Sequence, residues 1–139
     1  MAELSTQPTE QDPAAFIGAL THPTRRRDAE LLLGLMGRVT RRPAVMWGPS
    51  MIGFGRYHYR YASGHEGDAL AVGFSPRASA QAMYGLLSAP GAELLLPQLG
   101  RHRRGAGCLY VSSLATIDLG VLEELVQRGH EFMVTENFT

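Results

Sequence analysis

The stretch Arg56-Tyr57-His58-Tyr59-Arg60-Tyr61 alternates strictly: its tyrosines fall on one side, and Arg56, His58 and Arg60 on the other. That two-residue period is the period of a β-strand. Just upstream, residues 45–47 and 51–54 read as short extended segments broken by Gly48-Pro49, Gly53 and Gly55. Downstream, the turn-rich residues 63–68 lead into 69–75, where Leu70, Val72 and Phe74 alternate with small residues before Pro76 ends the run. The two alternating runs predict an antiparallel hairpin with a longer loop.

Outward from the hairpin the period changes. Asp12-Pro13 pairs an N-cap with a proline at the first helical position, which predicts a short helix over 13–20. A second helix is predicted over 24–39, with Ala29, Leu32, Leu33, Met36 and Val39 on one apolar face. Residues 80–87 read either as helix or as a third strand, 92–99 as a short helix awkward at Pro97, and 100–107 as a basic turn. Residues 108–112 are strand-like. Asp118 then caps a last helix carrying Leu119, Leu122, Leu125 and Val126 on one face, with Gly129 at its expected end. Helices at both ends with hairpin-connected strands between them predict an α+β fold, a small antiparallel sheet packed against N-terminal and C-terminal helices. Residues 1–12 are expected to be a disordered or loosely ordered tail, and 13–139 a single domain.

Composition removes several functions. All 13 basic residues are arginine, so amine chemistry of the Schiff-base kind and a Walker-type phosphate loop are both excluded. Cys108 is the only cysteine and cannot form an internal disulfide. With no signal-peptide pattern and no long apolar run, the chain is expected to be cytoplasmic, with no membrane partner. The zero net charge conceals an uneven distribution: residues 25–42 carry six arginines against two acids, and 101–104 add three more arginines. Neutral balance and a four-residue basic turn argue against a nucleic-acid partner.

Three stretches carry a family resemblance: Met46-Trp47-Gly48-Pro49-Ser50-Met51-Ile52-Gly53-Phe54-Gly55 with Tyr57-His58-Tyr59; Gly73-Phe74-Ser75-Pro76-Arg77; and Leu99-Gly100 through Gly107-Cys108-Leu109-Tyr110, followed by residues 118–125. In that order they resemble the YdhG-like bacterial domain of unknown function, over about residues 13–130. The resemblance implies a small α+β domain of mostly unassigned activity. Some members are likened to frataxin, an acidic iron-delivering protein, so iron is a cofactor possible by family analogy only. Glu123 and Glu124 would be its ligands here, although the arginines at 25–27 depart from the acidic surface that role needs.

The leading expectation is a non-catalytic small-ligand or metal-handling protein. Its ligand-binding residues would be Trp47, His58, Tyr59, Arg60, Arg77 and Arg101, with Trp47 and Tyr59 as stacking walls and Arg60 and Arg77 orienting a small anionic ligand. The plainer reading places Trp47, Tyr57 and Tyr59 in the core. An alternative is an enzyme of acyl or thiol transfer with Cys108 as nucleophile and His102 as base. Another is a structural protein, monomer or homodimer, paired through an edge strand. His65-Glu66 and His130-Glu131 lack zinc-motif spacing and are expected in solvent. Asn137-Phe138-Thr139 matches a glycosylation pattern by chance.

Overall fold

A computed structural model of the chain describes residues 7–60 and 62–136. Two helices come first, α1 (Pro13–Gly18) and α2 (Pro23–Thr40). Four strands follow, β1 (Ala44–Trp47), β2 (Met51–Arg60), β3 (Glu66–Pro76) and β4 (Gln81–Tyr84). Then come α3 (Ala92–Leu99), β5 (Arg103–Arg104), β6 (Cys108–Val111), one 3-10 turn (Leu114–Thr116) and α4 (Leu119–Glu136). The six strands form one antiparallel sheet in the order β1-β2-β3-β4-β6-β5. The fold is therefore α+β, as the pattern of the sequence requires.

Strand register separates the two faces of the sheet, because paired residues point the same way. Ile52, Phe74, Met83 and Leu109 line up across four strands on the inner face, with Phe54 opposite Val72 beside them. These side chains are buried against Ala29, Leu32, Leu35 and Met36 of α2 and Leu122, Leu125 and Val126 of α4. The outer face carries Gly53, Gly73, Tyr84 and Cys108 in one row and Ser75, Ala82, Tyr110 and Arg103 in the next. Trp47 lies on this face too: a Cβ on Gly53 would sit 2.7 Å from its Cδ1. The indole packs directly on the Gly53 backbone, and only glycine leaves it room.

Several expectations are corrected. Residues 51–60 form one strand, not two, because Gly53 and Gly55 serve close approach rather than interruption. Gly55 takes φ 73° where His130 of α4 presses on it. The helix α4 does not stop at Gly129: it runs on to Glu136. Gly129 is where the helix crosses the β4–α3 connection, and a Cβ there would lie 2.3 Å from the carbonyl oxygen of Gly85. Because the helix continues, His130 is turned inward and is only 8% exposed, not solvated. The ambiguous segment after residue 80 begins as a strand, β4.

Residues 7–9, expected in a loose tail, lie along β1, with Thr9 N donating to Met46 O at 2.8 Å and Gly48 N to Gln7 O at 2.8 Å. Residues 1–6, Tyr61 and the Asn137-Phe138-Thr139 pattern lie outside the described residues. Among the described residues, no helix is long and apolar enough to cross a membrane.

Candidate functional site

Proline ends β3 at Pro76, because it cannot donate to the ladder, and the chain reverses tightly: Arg77 N donates to Ala80 O at 2.8 Å. This β3–β4 turn lies at one end of the sheet, flanked by two clefts. One, of about 360 Å³, is lined by Ser79, Ala80, Arg101, His102, Arg103, Tyr110 and Ser112. The other, of about 380 Å³, is lined by Leu20, Thr21, His22, Arg25, Pro76, Arg77 and Ala78. Neither lining contains an acidic residue.

In the first cleft one cation is held by an aromatic ring rather than by an acid. The guanidinium of Arg103 lies 4.7 Å from the centre of the Tyr110 ring, within cation–π range. Arg77 reaches across the outer face of the sheet from the turn and donates to Tyr84 Oη at 2.6 Å. The phenol of Tyr110 is held above its ordinary value by hydrogen bonding to Cys108, with the charge of Arg77 acting the other way. Arg104 is withdrawn from the cleft by Glu93 at 2.6 Å. Among the described residues no carboxylate lies within 4.0 Å of Arg77, Arg101 or Arg103. A cleft with this lining presents N–H donors and positive charge over an aromatic wall, which suits an anionic group with an apolar body.

The other expected site residues are distributed over two further places. Trp47 is 3% exposed and forms one wall of a smaller cleft of about 210 Å³ with Arg42, Pro43, Val45, Gly53, Gly55 and Arg56. Arg56 stacks over that indole at 5.3 Å but is already committed to Asp68 at 3.0 Å. His58 and Arg60 belong to the hairpin. The two ring nitrogens of His58 lie 2.8 Å from Asp68 Oδ1 and 2.7 Å from Glu66 Oε1, and Arg60 lies 3.3 Å from Glu66. Hydrogen bonding to Asp68 and then to Glu66 raises the His58 pKa, and the same contacts lower both carboxylates. Tyr59 is half-buried and covers the Gly67 backbone of the neighbouring strand, where a Cβ would meet its Oη at 2.8 Å. The stripe that looked ligand-facing is thus a cross-strand ion network. The structure gathers Arg77 and Arg101 about one turn, and leaves Trp47, His58, Tyr59 and Arg60 elsewhere.

Cys108 is half-buried and lies opposite Tyr84 in the ladder. It shares no hydrogen bond with His102, whose Nδ1 faces the Gly100 carbonyl at 2.8 Å. Glu123 is closed by Arg38 at 3.0 Å and Glu124 by Arg128 at 2.5 Å. Among the described residues no group of three or more histidine, cysteine, aspartate or glutamate side chains could hold a metal ion.

Two residues at this end of the sheet escaped sequence reasoning, His22 and Arg25. The signal for His22 is only its place before Pro23, as a helix cap. Arg25 is one of three consecutive arginines, and burial alone distinguishes it: it is 7% exposed, whereas Arg26 and Arg27 are exposed. Compared with known proteins, the chain matches no family model, no curated protein and no solved structure.

Proposed function

We propose that this chain is a non-catalytic binding protein for a small anionic ligand, and that its motifs make it a YdhG-like protein. The ligand would occupy the cleft of Arg101, His102, Arg103 and Tyr110. One observation carries the reading: Arg101, His102 and Arg103 converge beside an aromatic wall with no acid in the lining. Five surface arginines are compensated by carboxylates, Arg38, Arg56, Arg60, Arg104 and Arg128. Where the charge stays uncompensated and concave, an anion is the natural partner. Arginine suits carboxylate and phosphate groups, which it meets with two parallel N–H bonds.

This reading is supported over its rivals by three facts. The two acids expected to hold iron, Glu123 and Glu124, are each occupied by an arginine. Cys108 and His102 lack the hydrogen bond that nucleophile activation needs. The sheet offers a poor edge for dimer formation, since residues 7–9 cover β1 and the opposite edge is a two-residue strand of exposed arginines.

Phenyl phosphate is a suitable probe, with benzyl alcohol as its neutral counterpart. The protein is expected to bind phenyl phosphate saturably in calorimetry and to ignore benzyl alcohol. Arg101→Gln with Arg103→Gln is expected to weaken phenyl phosphate by about tenfold or more, the loss of one or two charge-assisted hydrogen bonds. Equal binding of the two probes, or an unchanged affinity in the double variant, refutes the assignment.

A further inference from the structure

The second cleft contains an anomaly the first does not. Arg25 is buried, yet among the described residues no carboxylate lies within 4.0 Å of its guanidinium. A charge removed from water in this way is strongly unfavourable unless paired or fully hydrogen-bonded. The protein supplies Arg25 with one acceptor, the Ser112 carbonyl oxygen, 2.7 Å from Nη1. Its Nε is sealed from solvent with no acceptor at all. Its Nη2 has no acceptor among the described residues either, and Arg25 lines the cleft.

The nearest candidate acid in sequence is directed elsewhere. Asp28, one turn along α2, is buried and accepts from Leu114 N at 3.0 Å. Arg25 is also fixed at its backbone, because its carbonyl accepts from Gln81 Nε2 at 3.0 Å and its N–H donates to His22 Nδ1 at 3.3 Å. The last bond settles a tautomer. With Nδ1 acting as acceptor, the proton of neutral His22 must be on Nε2, which makes that nitrogen a donor. His22 lines the same cleft, as does Arg77, although the Arg77 guanidinium is drawn away to Tyr84 Oη on the outer face of the sheet. The first turn of α2, an 18-residue helix, starts here and adds its positive end.

We infer that the cleft between the α1–α2 junction and the β3–β4 turn is a binding site for a single oxyanion, a phosphate or carboxylate group, seated on the guanidinium of Arg25. His22 Nε2–H donates from the rim. The anion supplies the charge that the fold withholds from Arg25. The site draws on residues separate from the Arg101 cleft and does not depend on it.

The test is a titration of the full chain with inorganic phosphate against chloride at matched ionic strength, followed by amide chemical shifts, with acetate as a parallel arm. Saturable shifts at residues 21–25 and 77–80 are expected in phosphate, with a dissociation constant on the order of a millimolar, as befits a five-atom ligand. Phosphate at a hundredfold excess over that value is expected to raise Tm by on the order of 5–10 °C. His22→Asn, an exposed position where the new side chain still caps the helix, is expected to weaken phosphate several-fold, while the Arg101→Gln and Arg103→Gln double variant leaves it within about twofold. Arg25→Gln is expected to abolish the response, and circular dichroism shows whether that variant is folded. A stronger response in acetate assigns the site to carboxylates. No saturable shift in either anion, shifts confined to residues outside 21–25 and 77–80, or an unchanged response in His22→Asn overturns the inference.

Discussion

At the scale of single residues, the fold depends on what certain positions leave out. Gly129 lets α4 ride on the Gly85 carbonyl, and neither of those backbones can yield to a methyl group. Gly129→Ala is therefore expected to destabilise the protein by about 1–3 kcal/mol, the range for forced overpacking. Gly34, in the interior of α2, has open space where its Cβ would be. Gly34→Ala is expected to stabilise by about 0.5–1 kcal/mol through helix propensity and reduced freedom of the unfolded chain. Urea denaturation of both variants checks the pair: two glycines in helices, opposite signs. Equal effects would contradict the packing described for Gly129.

At the scale of elements, the β2–β3 hairpin binds its outer half together by charge rather than by apolar burial. His58 lies between two carboxylates, each of which is also held by an arginine. Its pKa is raised above 6.5, so the stabilisation it contributes is complete below the unfolded value and disappears as pH rises through the folded one. His130 is the opposite case. Burial, and then the charge of Arg42, lower its pKa below 6.5, so its effect is to destabilise as pH falls from the unfolded value through the folded one. Proton NMR titration is expected to show His58 titrating above 6.5 and His130 below it. Asp68→Asn is expected to bring His58 back toward its ordinary value, because that carboxylate is the main cause of the shift. His58 titrating at or below 6.5 in the unmodified protein would contradict the network.

The hairpin was legible in the sequence because alternation over six residues admits one period. The extension of β2 through Gly53 and Gly55 was not. A glycine that breaks a strand and a glycine that makes room for Trp47 or His130 read alike until the neighbour is known. For the same reason Gly129 resembled a helix end, and the burial of His130, which depends on the helix continuing, was hidden with it.

At the scale of the whole molecule, two groups of arginines stand apart. Those on the hairpin and on α4 are paired with acids. Those about the β3–β4 turn come from three separate parts of the chain, at residues 25, 77 and 101–103, and leave the sheet end cationic on a protein of zero net charge. Sequence singled out Arg77 and Arg101 by their motifs, and both lie at this end. It joined them to Trp47, Tyr59 and Arg60 because aromatic and basic residues interleave there, but those positions serve packing and cross-strand pairing. Arg25 was hidden because nothing in Arg25-Arg26-Arg27 marks one arginine as buried; helix phase and the position of Gln81 decide it.

The central claim is that anions bind about the β3–β4 turn, and not beside Trp47. The most direct measurement is an amide chemical-shift map of the full chain titrated with phenyl phosphate. Saturable shifts are expected at residues 79–80, 101–103 and 110–112, with residues 42–47 and 53–56 unmoved. Shifts centred on Trp47 and Arg56, or no saturable shift anywhere, would contradict it.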